Sequence, residues 1–337
     1  MNEVTTKFRQ PIFVAGLDRS GTSLMYAFLS SHPMISMVRR TNMFRYFYKR
    51  YGDLNDPINL DRCLNTMIHY KRIIKLNPDP NRIRSEFQIG EKTYGRLFAL
   101  FHEHNAERAG KQRWGDKSLY IERFIANIFY EYPDAKIIHM MRDPRDRYAS
   151  VKNRYETDRG RVGSATGKWW YSAKLAKRNA EKYPENYSIV TYESLVEEPE
   201  ETLSKISEFI GVEYSPQMLT MKGAPLLRDM GGNSSFDQFE PGEISTKSVG
   251  RYKTALTKNE ILFIQIYSAK FLREFGYPLE DLGLSIGEQI QFNLIERSIN
   301  LIRMIAWLLR EAIRDRLGRK LPEERMVYQL DSSETSV

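Results

Sequence analysis

The chain has 337 residues, of which 41% are hydrophobic and 28% are charged, enough for one large domain or two small ones around a sizeable core. Its 51 basic and 43 acidic side chains give a net charge of +8. That charge predicts a surface or cleft that attracts anions, such as a phosphorylated cofactor, an acidic substrate, nucleic acid or an anionic membrane.

The cysteine content and the hydropathy pattern bear on the compartment. Cys63 is the single cysteine, so no intrachain disulfide can form, and we expect it to be an ordinary buried side chain. No uncharged apolar run reaches the roughly 18 residues of a membrane span. The first ten residues are polar and lack the apolar core of a signal peptide. We therefore expect a cytoplasmic protein.

The N-terminal half begins with a strand, a helix and a second strand. Residues 11–16 (PIFVAG) have the apolar, β-prone pattern of a buried parallel strand. A helix is predicted over residues 21–31, and residues 34–38 predict the next strand. A mostly helical region follows over residues 42–108, broken by a proline-rich turn.

The second half continues the alternation of strands and helices. Residues 135–141 (AKIIHMM) predict another buried strand, followed by a helix that begins at Pro144. Further predictions are a helix over 169–183, a strand over 187–191 and a helix over 199–210. This order is typical of an α/β fold of the P-loop type, with three layers around a central parallel sheet. Ligands then bind at the carboxyl ends of the strands.

Residues 1–280 are predicted to form one domain, and the chain beyond it has a different pattern. Apolar residues at spacings of three and four, with arginines between them, predict a long amphipathic helix over 288–319 within a segment 281–320. That helix could pack on its own domain or on a second copy, or it could lie on an anionic membrane through Trp307 and its arginines. Residues 321–337 are predicted to be a polar, disordered tail.

The segment of residues 16–23 (GLDRSGTS) is the most informative part of the sequence. Its two glycines have the spacing of a P-loop, in which backbone N–H groups and a helix N-terminus converge on a phosphate. Thr22 stands where a nucleoside triphosphatase has its lysine, and Arg19 supplies a positive charge from the loop. We interpret the segment as a loop for one terminal phosphate group; the alternative is an ordinary glycine-containing turn.

A second anion site is predicted at the end of the strand over 135–141. Arg142 ends this strand, and Ser150 lies about two turns into the next helix. An arginine fork and a hydroxyl that converge there suit a second, separate phosphate. The alternative is surface charge at a helix start.

Taken together, the two motifs resemble those of the sulfotransferase superfamily, whose members use 3′-phosphoadenosine-5′-phosphosulfate (PAPS) as sulfuryl donor. FVAGLDRSGTSLMYAFLSSHP is similar to that family's 5′-phosphosulfate loop, and MRDPRDRYAS is similar to its 3′-phosphate motif. Residues 114–117 (WGDK), 190–210 and 248–253 (SVGRYK) resemble further landmarks. The resemblance runs over residues 11–275. It is strongest to the branch that holds bacterial, carbohydrate and protein-tyrosine sulfotransferases.

The resemblance implies a function and a set of site residues. The function is transfer of the sulfuryl group of PAPS, without a metal, to a hydroxyl or amine of a small molecule, glycan or lipid. The residues implied to bind the donor are Arg19, Ser20, Gly21, Thr22 and Ser23 for the 5′-phosphosulfate, Arg142 and Ser150 for the 3′-phosphate, Tyr192 for the adenine, and Ser248, Gly250 and Arg251 for closure over the nucleotide. Lys117 is implied to lie near the transferring group, where Arg19 also stabilises charge.

The general base is harder to predict. Relatives often carry a glutamate in the loop after the second strand, but residues 37–44 (MVRRTNMF) contain no acid, and Arg40 stands at the corresponding position. Asp116, beside Lys117, is the candidate base, unless the acceptor needs no strong base. Alternatively, Arg39 and Arg40 could recognise an acidic acceptor.

Several aromatic and histidine residues have both a structural and a functional interpretation. The aromatic cluster over residues 43–48 is predicted to pack in the core, with an acceptor-binding wall as the alternative. Trp169 is predicted in the core and Trp170 as an acceptor contact. His139 is predicted in the core, and the remaining histidines lack metal-ligand spacing.

Two other functions remain open. A P-loop kinase of a small substrate would need a lysine at position 22, where the chain has Thr22. A nucleotide-binding protein that lost its chemistry would fit the missing acid near Arg40. No nucleic-acid-binding motif is present, and the basic residues are spread along the chain, so nucleic acid is not an expected partner.

Overall fold

A computed structural model of the chain describes residues 10–232 and 234–317. Its centre is a five-stranded parallel sheet in the order β2-β3-β1-β4-β5. The strands are β1 (Ile12–Gly16), β2 (Ile35–Arg39), β3 (Arg113–Lys117), β4 (Lys136–Met141) and β5 (Tyr187–Thr191). Helices cover both faces of this sheet, so the predicted three-layer α/β fold is confirmed.

The helices follow the strands in a regular alternation only in parts of the chain. They are α1 (Thr22–Ser31), α2 (Met43–Tyr46), α3 (Pro57–His69), α4 (Pro80–Phe87), α5 (Tyr94–Arg108), α6 (Ile125–Glu131), α7 (Pro144–Arg154), α8 (Val162–Lys182), α9 (Tyr192–Glu197), α10 (Pro199–Ile210), α11 (Pro225–Asp229), α12 (Tyr252–Ala255), α13 (Lys258–Glu274), α14 (Ile286–Gln291) and α15 (Arg297–Leu317). Short 3₁₀ turns lie at Ile74–Leu76, Ile121–Arg123, Glu156–Asp158 and Pro216–Thr220.

The central strand β1 is buried over its whole length and contributes to a core on each face of the sheet. Phe13 and Ala15 face the core that holds α2 to α6, whereas Ile12 and Val14 face the core that holds α1 and α10. This division follows from the alternation of side chains along a strand. The carboxyl end of β1, at Gly16, leads directly into a loop.

β3 was not predicted as a strand, although four of the five strands were. Its sequence, RWGDK, carries three charged residues, yet every residue is buried. One of them, Arg113, donates from its guanidinium to the carbonyl oxygens of Gln10 and Ile210, which are distant in sequence. Strand propensity and polar–apolar alternation describe half-buried strands, so they do not detect a fully buried strand with three charged residues.

The aromatic cluster after β2 packs in the hydrophobic core, as predicted, and does not form an open wall. Met43, Phe44, Phe47 and Tyr48 are all buried in the same core as Phe13, and Cys63 is buried there too. Trp169 and His139 are also buried. Trp170, predicted as an acceptor contact, packs its ring on Phe271 and lines neither of the two cavities described below.

The C-terminal helix is present but interrupted. α14 and α15 are joined by one π-helical turn, Phe292–Glu296, and the inner face of α15 packs along α8. A Cβ atom on Gly167 of α8 would lie 3.4 Å from the Trp307 ring. Trp307 is thus buried against the protein, and the idea that it enters a membrane is wrong. Residues 318–319 of the predicted helix and the predicted tail over 321–337 lie outside the described residues.

Candidate active site

The turn from β1 into α1 has a shape that requires glycine at two positions. Gly16 and Gly21 have φ angles of 124° and 85°, in the region that other residues rarely adopt. A Cβ atom on Gly16 would lie 2.5 Å from the carbonyl oxygen of Met140, and one on Gly21 would lie 2.7 Å from the Tyr192 ring. As N-cap of α1, Gly21 also has no side chain to accept bonds from the first N–H groups of the helix. This helix end therefore suits an anion.

Arg142, at the carboxyl end of β4, joins the loop to two other parts of the chain. Its guanidinium donates to the carbonyl oxygens of Arg19 (3.2 Å) and Ser248 (2.7 Å) and lies 4.3 Å from the centre of the Tyr192 ring. Its Nε atom is buried and has no hydrogen-bond partner among the described residues. A buried donor of this kind is suited to an anionic ligand.

Arg19 connects the two predicted phosphate motifs. Its Nε atom donates to the hydroxyl of Ser150 on α7 over 2.9 Å, although the two residues are predicted to serve different phosphates. Ser150 also lies 3.0 Å from the hydroxyl of Ser235. Burial lowers the pKa of Arg19, but an arginine stays protonated at neutral pH. The side chain therefore brings a fixed positive charge to the point where the motifs meet.

Most of the predicted donor-binding residues line a single cavity of about 880 Å³, including its open mouth. Those in its wall are Arg19, Gly21, Thr22, Ser23, Arg142, Ser150, Tyr192, Ser248 and Arg251. Two predicted residues do not line it. Ser20 is buried under the loop, and the backbone N–H of Gly250 donates to Asp146.

Lys117 reaches this loop from the carboxyl end of β3. Its Nζ atom lies 3.4 Å from the hydroxyl of Ser23, and the side chain is almost fully buried. Burial, with the nearby positive charges of Arg40 and Arg39, lowers its pKa to about 7. Lys117 therefore changes its charge near neutral pH, and a bound anion would favour its protonated form.

Asp116 lies on the opposite face of the sheet from Lys117, because neighbouring residues of a strand point to opposite faces. Its carboxylate accepts hydrogen bonds from the hydroxyls of Thr41 and Ser118, and burial raises its pKa to about 6. These bonds hold the loop that follows β2. Asp116 lines neither the donor cavity nor the second cavity described next.

The second cavity lies beside the first, with Leu227 in the wall of both. Its volume, including its open mouth, is about 960 Å³. Four cationic residues line it: Arg39, Arg40, Arg72 and Lys75. None of the described residues in its wall carries a carboxylate. A wall that carries four cationic side chains attracts anionic ligands.

Several residues in these cavity walls could not be predicted from sequence patterns. Arg72 and Lys75 lie in a helical region with no recognisable motif, and Ser234, Ser235 and Phe236 lie in a loop. Half-buried Glu193 accepts hydrogen bonds from the N–H of Asp143 and the hydroxyl of Tyr277, and the desolvation of its carboxyl raises its pKa to about 7. In the sequence, only its position directly after Tyr192, past the end of β5, could have indicated Glu193 as a site residue.

Comparison with known proteins agrees with this geometry. The pattern of the Sulfotransferase family matches residues 11–216, which include β1 to β5 and both phosphate motifs. The chain belongs to the sulfotransferase family. Membership supports transferase activity, and the sequence resemblance to sulfotransferases is confirmed.

Two similar relatives are protein-tyrosine sulfotransferases. It is 25% identical over 216 residues to protein-tyrosine sulfotransferase A of Caenorhabditis elegans, covering 62% of this chain and 51% of that one. It is 24% identical over 215 residues to the protein-tyrosine sulfotransferase of Drosophila melanogaster, covering 62% of this chain and 39% of that one. The match thus spans about half or less of these two relatives.

A solved structure shares the fold of this sulfotransferase. The sulfotransferase domain of the olefin synthase from Synechococcus PCC 7002 superposes with a TM-score of 0.54 at 20% identity, covering 81% of this chain and 97% of that one. At that level of identity the likeness concerns the fold. Among the described residues, no cluster of side chains could hold a metal ion, and no helix is long and apolar enough to cross a membrane.

Proposed function

We propose that this sulfotransferase moves the sulfuryl group of PAPS to a hydroxyl of an anionic acceptor and releases 3′-phosphoadenosine-5′-phosphate (PAP). One observation carries the proposal: a single cavity joins the N-terminus of α1, the Arg19–Ser150 pair and Arg142. These groups suit a ligand with two separate anionic ends. The family and the resemblance of both motifs support PAPS as that ligand.

The residues present fit such a donor. The N–H groups at the start of α1 and the side chains of Thr22 and Ser23 would hold the 5′-phosphosulfate. The buried Nε atom of Arg142, which lacks a partner among the described residues, and the hydroxyl of Ser150 would hold the 3′-phosphate. The Tyr192 ring, which lines the same cavity, offers a face for the adenine.

In the reaction, a new S–O bond to the acceptor would form as the bond between the sulfur and the phosphate oxygen breaks. The proton of the acceptor hydroxyl would pass to water, and PAP would leave with the electron pair of the broken bond. Arg19, Lys117 and the loop amides stabilise the negative charge that grows on the leaving phosphate. Protonated Lys117 is well placed because it contacts Ser23 in the cavity wall. Asp116 is better described as a positioning residue than as the base, since its carboxylate holds Thr41 on the opposite face.

The donor is tested by isothermal titration with PAP, and with ATP and Mg²⁺ in parallel. We expect micromolar binding of PAP, weaker binding of ATP, and a loss of at least tenfold in PAP affinity for Arg142→Ala, because a charged hydrogen-bond donor is removed. Arg84→Ala is the matched control, since Arg84 pairs with Asp61 at the surface. Preference for ATP with Mg²⁺, or no binding of PAP, would reject the donor and favour a kinase.

The acceptor part of the proposal rests on the second cavity. It adjoins the donor cavity, and its Arg39 and Arg40 are near enough to Lys117 to lower the pKa of that lysine. An acceptor that carries negative charge would be drawn to this wall. The relatives named as protein-tyrosine sulfotransferases favour a phenolic hydroxyl, and glycan or lipid hydroxyls and amines stay as alternatives.

Acceptor choice is tested by measuring sulfation of tyrosine peptides that differ only in flanking residues, acidic or neutral. We expect a preference for the acidic peptide, and expect Arg40→Glu or Arg72→Glu to reverse it. PAP affinity should stay within twofold at pH 6, where Lys117 is already protonated in the wild type. Arg84→Glu serves as control for a change of net charge. An unchanged kcat/KM ratio between the two peptides in Arg40→Glu would refute this role.

A further inference from the structure

The outer face of the C-terminal helix is an exposed aliphatic stripe. Trp307, Met304 and Asn300 are buried on the inner face of α15, and the opposite face carries branched aliphatic side chains. Each of these exposes between 44% and 78% of its surface: Ile286, Ile290, Leu294, Ile295, Ile299, Ile302, Ile305, Leu309 and Ile313. Such a run differs from single exposed apolar residues, which are normal on any protein.

The stripe has the spacing of a helix–helix seam. From Ile295 the apolar residues recur at 299, 302, 306, 309 and 313, alternating steps of four and three, as at the a and d positions of a heptad. On the N-terminal side of this regular spacing, Ile290 and Ile295 are five residues apart. The π turn Phe292–Glu296 accommodates that extra residue, because a π turn contains more residues than an α turn. The stripe therefore continues along both helices.

The helix is fixed in place by its inner face. Gly163 of α8 leaves room for the backbone of Asn300, and Arg123 forms a buried ion pair with Glu311 at 2.5 Å. Arg303 also donates to the carbonyl oxygen of Gly160. The outer stripe is thus presented as a rigid surface.

We propose that this stripe is the contact surface between two copies of the chain, helix against helix. The nine exposed side chains offer on the order of 900 Å² per copy, close to the roughly 800 Å² that each partner contributes to a standard interface. A narrow seam is complementary to itself under two-fold symmetry. Arg303 and Arg310 lie along one edge, where their stems can cover the rim.

A membrane surface fits this helix less well. A helix that lies on a bilayer has a polar face opposite its apolar face, whereas the inner face here is packed on α8. The aromatic residue of α15 that would anchor at the headgroups, Trp307, is buried in the protein. The proposal does not depend on the identity of the donor or the acceptor.

The test is sedimentation equilibrium of the full chain, expected to give twice its mass of 39.6 kDa with a dissociation constant of about 10 µM or tighter. The double variant Ile302→Glu, Leu309→Glu should be monomeric, with its melting temperature and PAP binding preserved. Ile58→Glu, Ile89→Glu is the matched control, because these two residues are 69% and 62% exposed elsewhere; it should remain dimeric.

Three results would overturn the proposal. One is a monomeric wild-type chain at concentrations well above 10 µM. Another is a double variant that stays dimeric, since the contact would then lie on another surface. The third is a monomer that binds vesicles of phosphatidylserine and phosphatidylcholine through the stripe, which would assign it to a membrane.

Discussion

Lys117 should make donor binding depend on pH. Its pKa of about 7 arises from burial and from the charges of Arg40 and Arg39, so the free side chain is mostly protonated at pH 6 and mostly neutral at pH 8.5. If an anion at the loop binds only the protonated form, affinity should fall about 30-fold over this range, or about 2 kcal/mol. The variant Lys117→Met should lack this contribution.

The assay is titration with PAP at constant ionic strength between pH 6 and 8.5. Because the phosphates of PAP also titrate, the informative quantity is the ratio of the wild-type to the Lys117→Met dissociation constant at each pH. We expect the variant to bind much more weakly at pH 6 and almost as well as the wild type at pH 8.5. A ratio that stays constant across the range would refute the reasoning.

Three further outcomes follow from the packing. Without ligand, Lys117→Met should raise the melting temperature at pH 6, because a lysine whose folded pKa lies below its unfolded value costs stability while it is charged. The difference in melting temperature between variant and wild type should shrink between pH 7 and pH 10; a constant difference would contradict this. Gly163→Ala should destabilise the fold by about 1–3 kcal/mol, since its Cβ atom would lie 2.0 Å from the carbonyl oxygen of Asn300; Gly287→Ala, with open space around it, is the control, and equal thermal shifts would count against the packing. Asp116→Asn should lower turnover less than tenfold and leave PAP affinity within twofold, whereas a general base would cost about 10²–10⁴ in rate.

Much of the architecture could be predicted from local pattern. The strands at 11–16 and 135–141 are continuous apolar runs. The two glycines within residues 16–23 stand where the backbone has positive φ angles, so their spacing predicts the turn. The place of Arg142 in the site could also be predicted, because this residue ends a strand and the carboxyl ends of parallel strands meet at one edge of the sheet. These features are encoded within a few neighbouring residues.

Other features depend on contacts between distant segments. Arg19 and Ser150 are 131 residues apart, and no spacing rule predicts their bond. The four cations of the second cavity come from the end of β2 and the loop after it, and from the segment around Ile74–Leu76. Their convergence therefore exists only in the folded chain. The side of the sheet to which Asp116 points likewise became clear only once β3 was seen to be a strand.

Arg142 has a consequence for any attempt to shorten the protein. The family match ends at residue 216, and a fragment cut there would keep both phosphate motifs and the complete sheet. It would lose the carbonyl oxygen of Ser248, which anchors the Arg142 guanidinium, and the wall from Met221 to Arg251 that closes the donor cavity. Residues beyond position 216 thus close the cavity over the open edge of the sheet, and we expect a fragment that still binds the donor to extend at least to Arg251.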